Sequence, residues 1–133
     1  MKITGQCHCG AITYTAEAEP GTVMLCHCHD CQTFSGAPYR AMVFPRPGSL
    51  AMTGQPTNYA KVADSGNVRL QGFCGTCGTH LYAMNQDGSR MGLRIGCIAE
   101  RAELGPPVRQ VWCHSALPWA FDLPEAGRLD RQD

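Results

Sequence analysis

The sequence predicts a mainly β domain whose modest core is reinforced by bound metal. Three observations predict it. The apolar residues mostly alternate with polar ones in short runs, 15 glycines and nine prolines interrupt those runs, and nine cysteines lie mostly in short-spaced groups. The length of 133 residues suits one domain with a limited core. We therefore expect a single metal-binding domain over residues 1–124 and a polar tail over residues 125–133.

Short strands account for most of the expected structure. The segment AITYTAE alternates Ile12 and Tyr14 with threonines, which is typical of a half-buried strand. A hairpin turn through Asp87-Gly88 is expected between two later strands. A short helix is predicted over residues 98–104, and the Pro106-Pro107 pair prevents its extension. By the same alternating pattern we expect strands at residues 11–17, 22–26, 39–44, 67–74, 80–84, 91–97 and 108–114.

Charge and hydropathy exclude several classes of partner. The 11 basic residues equal the 11 acidic ones, so the chain has no basic field that would attract nucleic acid. The N-terminal segment MKITGQCHCG lacks the apolar stretch of a signal peptide, and no apolar run reaches the length of a membrane span. We therefore expect a cytoplasmic protein with no membrane or nucleic-acid partner.

The nine cysteines indicate metal binding and argue against a disulfide framework. Their number is odd, and nothing in the sequence directs the chain to an oxidising compartment. Seven of them fall in closely spaced groups, as metal ligands do. The two that stand alone, Cys97 and Cys113, lie in strand-like segments, where we expect them to be buried packing residues.

The first predicted site combines Cys7 and Cys9 with Cys74 and Cys77. Alternate residues of an extended chain point to the same side, so the first pair can meet one ion. The second pair belongs to a Cys-Gly-Thr-Cys-Gly segment, in which glycines permit a tight turn. Four thiolates complete a tetrahedral zinc site with no free position, which is typical of a structural ion. The alternative is a redox-active dithiol, which usually opens a helix after a strand.

The second predicted site is formed by Cys26, Cys28 and Cys31. Three protein ligands with one open position are typical of a catalytic zinc, which we expect to be the more labile of the two ions. His27 or His29 is the alternative, as a fourth ligand that would close the site. Either histidine could instead face solvent or act as a proton shuttle.

Polar residues that follow this second group are candidate substrate contacts. Gln32, Ser35 and Gly36 come directly after Cys31 in the sequence, which places them beside the open position. Trp112 is added as an aromatic residue that could line a pocket, together with Trp119 and Phe121; plain core packing is the alternative for these three.

The sequence resembles the glutathione-dependent formaldehyde-activating enzyme family, which also includes centromere protein V. The resemblance rests on the segments GQCHCGAITY, CHCHDCQTFSGAPY, FCGTCGTHLY and VWCHSALPWA, which occur in the family's order along nearly the whole chain. It implies a β-tent fold, in which two small antiparallel sheets meet near the metals. It further implies a structural zinc at the four-cysteine site and a second zinc at Cys26, Cys28 and Cys31. The family's name-giving reaction combines glutathione with formaldehyde near the second ion.

Two classes of function follow from these observations. The first is a carbon–sulfur lyase-type enzyme in which a small thiol such as glutathione is deprotonated at the open zinc position and attacks an aldehyde such as formaldehyde; a different thiol or electrophile could use the same ion. The second is a zinc-stabilised binding module without catalytic activity. The balanced charge makes a nucleic-acid reader the weaker form of the second class.

Overall fold

The computed structural model describes residues 1–132 as ten strands, one α-helix and three short 3₁₀ helices. The helix α1 spans His29–Ser35, and the 3₁₀ helices span Ile95–Cys97, Cys113–Ser115 and Pro118–Phe121. The strands are β1 (Lys2–Gln6), β2 (Thr13–Glu17), β3 (Met24–Cys26), β4 (Arg40–Val43), β5 (Ala51–Thr53), β6 (Thr57–Val62), β7 (Val68–Phe73), β8 (His80–Asn85), β9 (Met91–Arg94) and β10 (Arg109–Val111).

The strands form two sheets of unequal size. The smaller sheet has the order β1-β2-β5, and the larger has the order β10-β3-β4-β9-β8-β7-β6. All pairs are antiparallel except β10 with β3, which run parallel. The predicted mainly β fold with small antiparallel sheets is therefore confirmed, with one parallel pair at the edge of the larger sheet.

The hydrophobic core joins the two sheets. Ile3 and Tyr14 from the smaller sheet belong to the same buried cluster as Val43, Leu81 and Leu93 from the larger one. In β1 and β2 the buried residues alternate with exposed ones, as the period-two pattern of the sequence predicts, whereas β8 and β9 of the larger sheet bury consecutive residues. This packing fixes the position of the smaller sheet over the larger one.

Two glycine–tyrosine pairs make this close packing possible. Gly5 lies opposite Tyr14 across β1 and β2, and Gly72 lies opposite Tyr82 across β7 and β8. A Cβ atom on either glycine would stand 2.1 Å from a carbon of the facing tyrosine ring. The rings can therefore lie flat over the neighbouring strand only because these positions carry no side chain.

All seven predicted strand segments contain a strand, and the predicted hairpin turn connects β8 to β9. Three strands were not predicted, namely β1, β5 and β6. Nearly all side chains of β6 are exposed, so its sequence lacks the alternation that marks a half-buried strand. Its strand conformation follows from pairing with β7 over six residues, which a reading of local pattern does not detect.

The predicted helix over residues 98–104 is wrong. Ile98 forms an isolated bridge to Gly5, and the amide of Ala99 donates to the carbonyl of Thr4. These bonds tie the segment to the edge of β1, and the residues after it form turns. The α-helix is instead α1, which begins within the second cysteine group.

The predicted polar tail is described over residues 125–132, which form turns and bends without strand or helix. Residue 133, the last of that tail, lies outside the described residues, and the domain boundary at residue 124 stays a prediction. Over residues 1–132, no helix combines the length and the apolar character that crossing a membrane requires.

Candidate metal centres

The first cysteine group lies where the two sheets meet. Cys7 and Cys9 follow β1 of the smaller sheet, and Cys74 and Cys77 lie in the turn between β7 and β8 of the larger one. The Cys7 and Cys9 sulfurs are 3.6 Å apart, and those of Cys9 and Cys74 are 3.8 Å apart. Sulfurs at about 2.3 Å from one tetrahedral zinc ion lie about 3.8 Å from each other. The predicted four-cysteine group is therefore brought together at a spacing that fits zinc.

Backbone hydrogen bonds shape this site before any ion binds. The amide of Gly78 donates to the carbonyl of Cys74, and Gly78 takes a φ of +76° that few other residues adopt. The amide of Ile12 donates to the Cys7 sulfur over 3.3 Å. Thr79, whose hydroxyl lies 3.1 Å from the Cys77 sulfur, lowers the pKa of Cys77 to about 5. These donors favour the thiolate form that metal binding requires.

The second cysteine group is assembled where β3 ends and α1 begins. Cys26 is the last residue of β3, Cys28 is the N-cap of α1, and Cys31 lies in its first turn. The amide of Cys31 donates to the Cys28 sulfur over 3.3 Å. The three sulfurs lie within 4.8 Å of one another. The helix that sequence reasoning missed is thus the element that turns the third thiol toward the first two.

The three thiols differ in exposure and in acidity. Cys26 and Cys31 are buried, whereas Cys28 is partly exposed. The pKa of Cys28 is lowered because the Cys26 and Cys31 thiols hydrogen-bond to it, and the charge of Arg40 acts in the same direction. For Cys31, hydrogen bonds with Cys26 and then with Cys28 have the opposite effect and raise the pKa. The group therefore holds one thiolate readily, and a cation is needed to hold three.

Neither histidine of the second group lies with the three sulfurs. Among residues 1–132, the side chains that converge there are three thiols and no imidazole. His27 is buried, its Nε2 lies 2.8 Å from Oε1 of Gln110, and its ring packs between Tyr39 and Phe121. His29 is exposed. The structure therefore brings together three candidate donors at this site, and their role as metal ligands stays a prediction.

Three of the predicted substrate contacts, Gln32, Ser35 and Gly36, belong to α1 or its C-cap. Gln32 donates through Nε2 to the carbonyls of His27 and Ser115, so it ties α1 to the C-terminal segment. The hydroxyl of Ser35 donates to the carbonyl of Tyr39, and Gly36 is the C-cap of α1. These three residues stabilise the helix that carries Cys31.

Trp112 and the lone cysteines occupy different environments. Trp112 is 59% exposed, and its φ of +58° places it in the left-handed region. Trp119 and Phe121 are also exposed, so the core-packing alternative does not hold for these aromatics. Cys97 is buried, as expected, and its thiol donates to the carbonyl of His80. Cys113 is exposed, so the expectation that it is a buried packing residue is wrong; it starts a 3₁₀ helix and not a core strand.

A cleft of about 1320 Å³ opens between the two sheets and runs from the first cysteine group to α1. Cys7 and Thr79 line one end, and Phe34 and Ser35 of α1 line the other. The side chains of Arg40 and Arg94 also face it and are only 5% and 6% exposed.

Sequence reasoning overlooked both arginines, although a signal for them exists. Each is a charged residue inside an apolar strand, in YRAMVF and in MGLRIGC. Both donate through Nη2 to Oε1 of Gln71, over 3.2 and 3.4 Å. Burial, and after it the charge of Arg40, lowers the pKa of Arg94 to about 9. Burial together with the two arginines also lowers the pKa of His80. The two arginines therefore bring buried positive charge to the wall of the cleft.

Comparison with known proteins agrees with the sequence resemblance. A family model described as "Glutathione-dependent formaldehyde-activating enzyme" matches residues 2–115. Among solved structures, the fold is similar to that of a Rhodobacter sphaeroides protein, with 20% sequence identity and a TM-score of 0.61. That similarity covers 80% of this chain and 98% of the other, and at this identity it concerns the fold alone. No curated protein matches the chain.

Proposed function

The chain belongs to the glutathione-dependent formaldehyde-activating enzyme family, and on that basis we propose that it is a zinc-dependent enzyme of the carbon–sulfur lyase type. Its proposed substrates are a small thiol, glutathione, and an aldehyde, formaldehyde. The observation that carries the proposal is the three-sulfur group of Cys26, Cys28 and Cys31, which has no fourth protein donor among residues 1–132. Partial exposure of Cys28 leaves that group accessible from one side.

The proposed reaction needs no oxidant or reductant. The thiol sulfur attacks the carbonyl carbon and forms a C–S bond, the C=O double bond becomes a C–O single bond, and the thiol proton moves to that oxygen. When bound, zinc supplies a positive charge that lowers the pKa of a coordinated thiol and polarises a carbonyl. The chain contributes the three thiols that would hold this ion and the walls that position the substrates beside it.

The other residues of the two predicted sites have supporting roles in this proposal. Cys7, Cys9, Cys74 and Cys77 hold a structural zinc, because all four tetrahedral positions would be filled by sulfur. Gln32, Ser35, Gly36 and Trp112 are the proposed substrate contacts around α1. The proposed location is the cytoplasm, where thiols stay reduced and available as metal ligands.

The proposal is tested by NMR exchange spectroscopy on mixtures of glutathione and formaldehyde. We expect the zinc-loaded protein to accelerate their interconversion with the adduct, and Cys28→Ser to remove the acceleration. Cys113→Ser is the matched control, because Cys113 is exposed and lies outside both cysteine groups. Equal rates with wild type, with Cys28→Ser and without protein would refute catalysis of this reaction.

A binding module without activity is the second candidate, and one observation favours it. Several large apolar side chains of the C-terminal segment are more than half exposed, among them Trp112, Phe121 and Leu123. Exposed apolar clusters of this kind often mark interaction surfaces. A protein that binds both ions and folds, but does not change the exchange rate for a panel of thiols and aldehydes, would support this candidate.

A further inference from the structure

The cleft between the sheets contains an unusual concentration of unsatisfied polar groups. Five described side chains carry buried nitrogen or oxygen atoms without a hydrogen-bond partner, and four of them line this cleft. These atoms are the hydroxyl of Tyr14, Nδ1 of His80, Nε of Arg40, and Nε and Nη1 of Arg94. Buried polar atoms are nearly always paired in folded proteins, so four such side chains around one cavity point to a polar ligand.

The two arginines specify the charge of that ligand. Within residues 1–132, the ion pairs are Arg46 with Glu17 and Lys61 with Asp30, and neither involves Arg40 or Arg94. Their only shared acceptor is the neutral amide oxygen of Gln71. Two guanidinium groups buried without a carboxylate are costly for the fold. An anion between the two guanidinium groups would offset that cost and would accept hydrogen bonds from their unpaired N–H groups.

The position of Arg40 connects this subsite to the second cysteine group. Arg40 lies directly opposite Cys26 in the register of β3 and β4, and such neighbours have Cα atoms about 5 Å apart. Phe34 of α1 packs beneath the Arg40 guanidinium, 5.8 Å from its ring centre. A small molecule whose anionic end meets the arginines can therefore extend its other end toward the three thiols.

We propose that Arg40 and Arg94 form a subsite for a carboxylate of the substrate thiol, with the Tyr14 hydroxyl and His80 as neighbouring polar groups in the cleft. This inference rests on the proposed function, since it concerns the substrate of the same site. It defines the thiol class as small and carboxylate-bearing, and it excludes neutral or cationic thiols as good substrates. Arginine suits the role because its planar N–H groups match the two oxygens of a carboxylate.

The first test uses the wild-type protein and two ligands that cannot react. S-methylglutathione carries both carboxylates but no free thiol, and its diethyl ester lacks the negative charges. We expect saturable binding of the acid by isothermal titration calorimetry and binding of the ester that is weaker by about tenfold or more. Equal affinity of the two ligands, or no saturable binding of the acid, overturns the inference.

The second test uses Arg94→Gln with Arg46→Gln as the matched control. Both variants remove one positive charge, but Arg46 is exposed and pairs with Glu17 away from the cleft. We expect S-methylglutathione to bind Arg94→Gln about tenfold to a hundredfold more weakly, and Arg46→Gln with unchanged affinity. Circular dichroism and metal content show whether Arg94→Gln is folded and loaded; if it is not, the ligand pair on wild type decides alone.

The outcomes separate this inference from the proposed function. The protein could bind the acid more tightly than the ester and yet not accelerate thiol–aldehyde exchange. That result would support the carboxylate subsite and refute the proposed enzymatic function. If the protein accelerates exchange but binds the acid and the ester equally, the proposed enzymatic function is supported and the carboxylate subsite is refuted. Loss of metal in Arg94→Gln together with equal binding of both ligands to wild type assigns the arginines to the charge balance of the thiolates and also overturns the inference.

Discussion

The two cysteine groups differ in how far apart in the sequence their members lie. Cys9 and Cys74 are 65 residues apart, and the ion that they would share joins the smaller sheet to the larger. Cys26, Cys28 and Cys31 fall within six residues of one strand–helix junction. A long-range site replaces contacts that a modest core cannot supply, whereas a local site leaves the topology unchanged when its ion departs. From this difference we expect the first group to maintain the fold and the second to be free for the proposed chemistry.

Removing one thiol of the first group is expected to have the largest effect. Cys74→Ser leaves three thiols where four are needed to join the sheets, and structural zinc contributes about 10 kcal/mol or more, comparable with the whole stability of a domain. We expect loss of the cooperative unfolding transition in thermal circular dichroism and loss of the corresponding metal. Cys113→Ser should unfold like wild type. A Cys74→Ser protein with the wild-type melting temperature would show that the first cysteine group does not maintain the fold.

Crowding the strand that leads to the first group is expected to have an intermediate effect. Gly72→Ala places a Cβ atom 2.1 Å from the Tyr82 ring, so the ring or β7 must move. We expect the free energy of unfolding, measured by denaturant titration, to fall by about 1–3 kcal/mol. Gly96→Ala is the control, because nothing lies within 4 Å of its Cβ position. Equal stability of the two variants would show that the pairing of Gly72 with Tyr82 is not tightly packed.

Removing one thiol of the second group should change the fold little. Serine at position 28 can still accept the hydrogen bond from the amide of Cys31, so the N-cap of α1 is preserved while a metal ligand is lost. We expect Cys28→Ser to be folded, with stability within about 1 kcal/mol of wild type, since serine is a favoured N-cap residue. Its zinc content, by elemental analysis, should fall from two equivalents to one.

Mild chelation of the wild-type protein should likewise lower its zinc content from two equivalents to one, and circular dichroism should show that the protein stays folded. A chelator that removes both ions together, or that unfolds the protein at the first equivalent, would show that the two sites are not distinct in function.

The smallest effect is expected at the ion pair that joins α1 to β6. Nζ of Lys61 lies 2.6 Å from a carboxylate oxygen of Asp30, and both side chains are partly exposed. We expect Lys61→Gln to lower the free energy of unfolding by about 0.2–1 kcal/mol, with the difference vanishing in high salt.

The pH dependence of this pair has a defined sign. The hydrogen bond with Asp30 raises the pKa of Lys61 above its ordinary value of 10.5. The contribution from Lys61 is therefore fully present from neutral pH up to pH 10.5 and is lost as the pH rises through the higher pKa of the folded state. On the alkaline side, the stability difference between wild type and Lys61→Gln should narrow only at strongly alkaline pH. A difference that narrows already at neutral pH would contradict this assignment.

Local sequence pattern predicted most of the strands and both cysteine groups, because side-chain alternation and short ligand spacings are properties of neighbouring residues. It failed where the cause lies elsewhere in the chain. The helix expected over residues 98–104 is absent since Ile98 and Ala99 bond to β1. The sequence did not predict the helix α1, because its seven residues resemble a cysteine-rich loop. Its N-cap at Cys28 and its C-cap at Gly36 are evident only in the structure.

By itself, the sequence determined the chemistry that is available to this protein. The residue types and their spacings predict that seven thiols act as metal ligands, and the balanced charge predicts no general attraction to nucleic acid. Only the tertiary structure decided that no imidazole lies with the three thiols of the second group, and that the buried side chains of Arg40 and Arg94 line one cleft. The physical reason is distance. Residues far apart in the chain become neighbours through sheet packing, and their burial and unpaired hydrogen bonds exist only in the folded protein.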